Sequence, residues 1–178
     1  MLGPATLLTK YGSFAVAGVV CLESMGLPLP GEAILIAAAI YAGKTGQLMP
    51  QDDAGRYQCL QWLMFQMGGI GPMFGQVGFF HKFAGKDFED KRPRDRYVDE
   101  AKRLLAVLDG QLKGKQWILG DDYSIADIAT FPWVRNLVGF YGARELVGFD
   151  AFKEVQRVLD AFLARPAVER GLQIPKRD

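Results

Sequence analysis

The sequence predicts an all-α bundle over residues 50–178, preceded by an apolar helical hairpin over residues 1–49. Three observations carry this. Apolar residues recur at helical spacing along the C-terminal part. A capped helix start stands out at Ser124-Ile-Ala-Asp127. No run of the alternating kind that marks a strand interrupts the pattern.

The elements follow in order. A helix is expected from about Asp52 to Phe80, with apolar residues at Leu60, Leu63, Met64 and Met67. Gly68, Gly69, Gly71 and Pro72 should bend or break it. Gly85 to Arg96 reads as a charged loop, and the next helix starts after Pro93. Tyr97, Ala101, Leu104, Leu105, Leu108 and Leu112 then fall on one face as a buried stripe. A third helix runs from Ile125 to about Gly139, mostly apolar and therefore buried, with Pro132 as an internal kink. An amphipathic helix over Asp150 to Ala164 turns Phe152, Val155, Leu159 and Phe162 inward.

The third helix carries the sharpest local signal. Ser124 is an N-cap residue, and Asp127 stands three residues on, where its carboxylate reaches back to the Ser124 N–H. Tyr123 and Ile128 occupy the positions of a hydrophobic staple. Both Ser124 and Asp127 are therefore structural caps, and no residue of the chain is assigned as catalytic.

Composition narrows the function. The chain has 178 residues, with 21 basic and 20 acidic side chains. This balance gives no long-range pull towards nucleic acid. The two cysteines, Cys21 and Cys59, lack paired spacing and read as reduced thiols. With a single histidine, His81, no metal site is expected. The glycines at 68, 69, 71 and 75 are no phosphate loop, since no Lys-Ser/Thr follows and no strand precedes. They leave room either for a ligand or for tight helix packing.

Residues 1–49 differ in kind. They hold four formal charges, at Lys10, Glu23, Glu32 and Lys44. Apolar runs from Tyr11 to Leu22 and from Ala33 to Ala42 flank a Pro/Gly-rich break. Each run is about half the ~20 residues that span a bilayer. The pair suits a re-entrant hairpin and predicts membrane contact through residues 5–45.

Two family resemblances can be placed on these residues. Trp117-Ile-Leu-Gly-Asp-Asp-Tyr-Ser-Ile-Ala-Asp127 resembles the start of the buried helix in the C-terminal domain of glutathione transferases. Gly68-Gly-Ile-Gly-Pro-Met-Phe-Gly-Gln76 within the first helix is similar to the Nu class, the bacterial disulfide-bond oxidoreductases of that superfamily. Asp95-Arg96-Tyr97 and Arg165-Pro-Ala-Val-Glu-Arg170 extend the match, which covers roughly residues 51–178. Separately, Glu23 to Glu32 resembles the start of DedA-family membrane proteins, where the two acids belong to a membrane-embedded site. The sequence passes from one pattern to the other near Met49-Pro50.

The transferase resemblance implies glutathione as a weakly held ligand, with Gln61 and Arg96 contacting its carboxylates. In that family the thiol-activating residue lies in a thioredoxin-like domain, and no βαβ pattern precedes residue 51. The expectation is therefore a transferase-family protein without its catalytic half and with little or no autonomous activity. It would be cytoplasmic or membrane-associated. A homodimer or a separate thioredoxin-like chain would be its partner. The alternatives are a non-catalytic helical interaction module and a membrane-anchored fusion.

Overall fold

The computed structural model describes residues 45, 46 and 48–173. The chain divides into two units, Met1–Asp52 and Asp53–Asp178. The expected apolar hairpin, the DedA-like stretch and Cys21 lie outside the described residues. Among the described residues no helix is long and apolar enough to cross a membrane.

The second unit is all-helical. Its elements are α1 (Asp53–Phe65), a π-helical turn (Gln66–Ile70), α2 (Gly71–His81), α3 (Arg92–Leu112), α4 (Ile125–Arg135), a second π-helical turn (Asn136–Phe140), α5 (Lys153–Leu163) and the short α6 (Pro166–Gly171). Two 3-10 turns, Ala84–Asp87 and Phe149–Ala151, link helices. The described residues contain no strand; Trp117 and Gly120 pair as one isolated bridge.

The Gly/Pro cluster expected to break the first helix instead widens it. The Gly71 N–H reaches back five residues to the Gln66 carbonyl, and the helix resumes with Pro72 in its first turn. Proline is tolerated in a first helical turn because no intrahelical bond is required from its missing N–H. Two glycines of this motif, and Gly78 just beyond it, are spacers for bulky neighbours. A Cβ at Gly71 would meet the Trp133 ring at 3.3 Å, one at Gly78 the Tyr141 ring at 2.8 Å, and one at Gly69 the Leu104 side chain at 3.2 Å. Tight packing thus accounts for Gly69 and Gly71, whereas a Cβ at Gly68 would meet nothing within 4 Å and one at Gly75 only an ordinary contact with Trp133 at 3.9 Å.

The first helix buries a different face from the one its sequence suggested. Cys59, Trp62, Gln66 and Ile70 point inward, whereas Leu60, Met64 and Met67 are exposed. α1 packs against α4, and Cys59 lies beside Ala126 at the start of that helix. The α3 stripe is as expected: Ala101, Leu104, Leu105, Leu108 and Leu112 are all buried. Tyr97 is half-buried and stacks on Phe80, with ring centroids 5.6 Å apart.

α5 is held from α3. Phe152 supplies no side-chain cap, and Asp109 does so from a distance. Its carboxylate accepts from the Glu154 and Val155 N–H groups at 2.9 and 3.1 Å. Arg157 returns the contact, donating to the Leu112 and Lys115 carbonyls at the end of α3. Val155, Val158, Leu159 and Phe162 form the inward face, and Phe152 is only half-buried. Pro132 sits inside α4 as expected, and the second π turn follows it.

Candidate functional site

The start of α4 is a closed polar network. Asp127 is fully buried. One carboxylate oxygen accepts from the Ile118 N–H at 2.9 Å; the other accepts from the Ser124 N–H and Oγ–H, both at 2.9 Å. The capping box is complete in both directions. Gln111 of α3 donates to the Ile118 carbonyl at 2.7 Å, so the Trp117–Ile118 loop is tied on both sides. Tyr123 is held by Trp117, with ring centroids 4.8 Å apart, and by the Arg165 guanidinium 3.5 Å over its ring. Ile128, the other expected staple residue, is 40% exposed.

Burial pushes the Asp127 carboxyl above its ordinary value, opposed by the hydrogen bonds from Ile118 and Ser124. Cys59 lies against this helix start. Burial raises its thiol, a hydrogen bond with the Ala126 backbone lowers it, and the Asp127 charge raises it further. A thiol that is fully buried and held in its protonated form is a poor nucleophile. No acid–base or nucleophilic chemistry follows from this cluster; it fixes a helix.

Arg96 sits in an open, charged setting on α3. The acids near it are each taken by another base. Asp95 pairs with Arg94 at 2.7 Å, Asp99 with Lys102 at 3.8 Å, and Glu100 with Arg103 at 2.7 Å. Arg96 forms no ion pair within 4.0 Å among the described residues, which leaves its planar fork of donors open.

Gln61 is exposed on α1, beside Tyr57, Leu60 and Met64. Gly69 faces Leu104 and Phe80 faces Tyr97, so the α1–α2 rod and α3 run antiparallel. Gln61 precedes Gly69 along one rod and Arg96 precedes Leu104 along the other, and the two therefore lie towards opposite ends. At 1.5 Å per residue their separation is roughly 20–24 Å. Gln61 and Arg96 thus stand on different helices, towards opposite ends of the rod pair.

Sequence reasoning missed an aromatic surface beyond the end of α2. Phe79, Phe83, Phe88 and Phe140 are each 38–49% exposed. Phe79, Phe80, Phe88 and Tyr97 pack edge-to-face or stacked with centroids 5.0–6.2 Å apart. Lys82 donates to the Phe140 carbonyl and lies 3.9 Å over its ring. The signal was present as Phe79-Phe80-His81-Lys82-Phe83, but periodicity cannot tell a surface aromatic from a core one. His81 is half-buried at the α2 terminus. A shallow cleft of about 240 Å³ between α4, α5 and α6 is lined by Pro132, Arg135, Asn136, Phe162, Val168 and Leu172, apart from both expected ligand residues. Among the described residues no group of three His, Cys, Asp or Glu side chains could hold a metal ion.

Comparison with known proteins places these features. Residues 72–166 match the glutathione S-transferase, C-terminal domain. The disulfide-bond oxidoreductase YghU of Escherichia coli is 40% identical over 132 residues, 73% of this chain and 45% of that protein. The disulfide-bond oxidoreductase YfcG of the same organism is 34% identical over 74% of this chain and 58% of that protein. The chain thus spans about half the length of these curated relatives. A glutathione transferase from Burkholderia graminis, solved with two glutathione molecules per subunit, superposes with a TM-score of 0.76 at 70% identity, over 84% of this chain and 61% of that one. One from Pseudomonas putida, solved with one glutathione disulfide per subunit, gives 0.75 at 71% identity over 83% and 62%. The helical bundle, its capped α4 and the matched family agree, and the chain belongs to the glutathione S-transferase family through its C-terminal domain.

Proposed function

We propose that this helical domain supplies the carboxylate-binding side of a glutathione site, through Arg96, in a disulfide-reducing or conjugating transferase. The thiol-activating group then comes from a thioredoxin-like half outside the described helices. The observation that carries this is the open Arg96 guanidinium on a helix where the neighbouring acids are already paired. The glutathione bound in the Burkholderia and Pseudomonas structures supports the choice of ligand. Gln61, at the other end of the rod, contributes a separate contact.

Affinity should be weak. One charge-assisted hydrogen bond contributes about 1.5–3 kcal/mol, and millimolar binding already corresponds to about 4 kcal/mol. The buried, raised Cys59 offers no alternative nucleophile. Titration of the full chain with glutathione, followed by NMR, should show millimolar binding that Arg96→Ala abolishes. A disulfide-reduction assay on the same protein should stay at background. Binding unchanged in Arg96→Ala would rule out the assignment, and turnover above background would show that the chain holds its own thiol-activating group.

A second reading has its own support. Tyr57, Leu60 and Met64 on α1, with Met67 in the π turn that follows, form an exposed apolar stripe at helical spacing. Such a stripe suits a helical assembly module, with a second copy or a thioredoxin-like chain as partner. Sedimentation of wild type and Met64→Lys tests it; a monomer in both would exclude self-association.

A further inference from the structure

We infer that Arg103 is a positioning residue for Arg96: it holds the Glu100 carboxylate through both oxygens and so keeps Arg96 open to a ligand carboxylate. The inference rests on the proposed role of Arg96 and adds how that role is maintained.

Glu100 stands between two arginines on α3. Arg96 is one turn before it and Arg103 nearly one turn after it. Residues spaced by three or four along a helix have Cβ atoms about 5–6 Å apart, so both guanidinium groups lie within reach of Glu100. The structure shows one choice. Arg103 Nε donates to one Glu100 oxygen at 2.8 Å and Nη2 to the other at 2.7 Å. This geometry uses the whole carboxylate edge. Arg96 is left with only a long-range effect on Glu100, whose carboxyl lies below its ordinary value mainly through the Arg103 hydrogen bond.

The preference has a physical reason. An acid placed N-terminal to its base is the better orientation on a helix, and Glu100–Arg103 has it while Arg96–Glu100 is reversed. Without Arg103, however, the reversed pair is the one left to Glu100. Its carboxylate then competes with the ligand for the same donors on Arg96. A helical pair of this kind changes an equilibrium by about twofold.

Glutathione binding to the full chain tests this in a double-mutant cycle. Arg103→Ala should weaken binding about twofold. Adding Glu100→Gln to Arg103→Ala should restore it. Glu100→Gln alone should change little, because Glu100 is already withheld from Arg96 in the wild type. Equal gains from Glu100→Gln in both backgrounds would reduce the effect to net charge and overturn the inference. So would wild-type affinity in Arg103→Ala. Loss of any Arg96→Ala effect is a separate result, which removes the proposed role of Arg96 itself. Circular dichroism on each variant confirms that α3 is intact.

Discussion

The start of α4 and the outer face of α3 both carry carboxylates, and they use them in opposite ways. At α4 the acid is buried and its donors are backbone and hydroxyl groups of its own chain. On the outer face of α3, Asp95 and Asp99 are exposed, Glu100 is half-buried, and each pairs with a base, with Arg96 left unpaired among them. The first arrangement is self-contained and specifies a fold. The second is solvated and leaves a group over for something outside the domain. A carboxylate's burial and the identity of its donors therefore separate a structural acid from a charged surface that can serve a ligand.

The largest break in this comparison should come from Asp127→Ala. It leaves the buried Ser124 and Ile118 N–H groups without acceptors. Each orphaned donor costs about 1–3 kcal/mol, so urea melts at pH 7 should show a loss of at least about 2 kcal/mol. An unchanged midpoint would mean that water replaces the carboxylate at no cost.

That contrast also marks what was legible in the sequence. Ser124 and Asp127 could be assigned because a capping box spans three residues of one helix and needs no partner from elsewhere. The buried stripe from Ala101 to Leu112 was legible for the same reason, since periodicity is local. The inward face of α1 was not. Leu60, Met64 and Met67 fit a helical stripe as well as Cys59, Trp62 and Gln66 do, and only the packing against α4 chooses between them. Arg96 could be singled out through the family resemblance, but its open state depends on Arg94, Lys102 and Arg103, whose pairing only the structure displays. The Asp109 cap on α5 was likewise hidden, because it joins residues far apart in sequence.

The buried side of α4 offers a second, smaller effect. Thr130 is fully buried, and its hydroxyl has no hydrogen-bond partner among the described residues. A buried unpaired hydroxyl costs free energy that an isosteric methyl group does not. Thr130→Val should therefore stabilise the domain by about 1 kcal/mol, the low end for such a group. A loss of stability in the same melts would indicate that the hydroxyl is satisfied in solution.

The pH dependence of the Asp127→Ala penalty sharpens the comparison further. Burial raises the Asp127 carboxyl above its ordinary 3.8, so the folded state binds its proton more tightly than the unfolded state. Stability from this group is fully present below about 3.8 and is lost as pH rises through the raised value. The penalty should be greatest near pH 3, shrink on going upward, and level off once the folded carboxyl ionises. A penalty that instead grows with pH would show that the three donated hydrogen bonds outweigh burial.

The smallest expected change in stability is the most informative about function. Arg96 is exposed and has no ion pair to lose among the described residues, so Arg96→Ala should shift the folding free energy by no more than about 0.5 kcal/mol, the range for surface substitutions. It even removes one of several closely spaced positive charges, since Arg92, Arg94 and Arg103 share the same helix. The same substitution should abolish glutathione binding. A residue that matters for the ligand and not for the fold would place Arg96 in a different class from Asp127. A destabilisation of 1 kcal/mol or more would put both residues in the structural class and remove the contrast between the two regions.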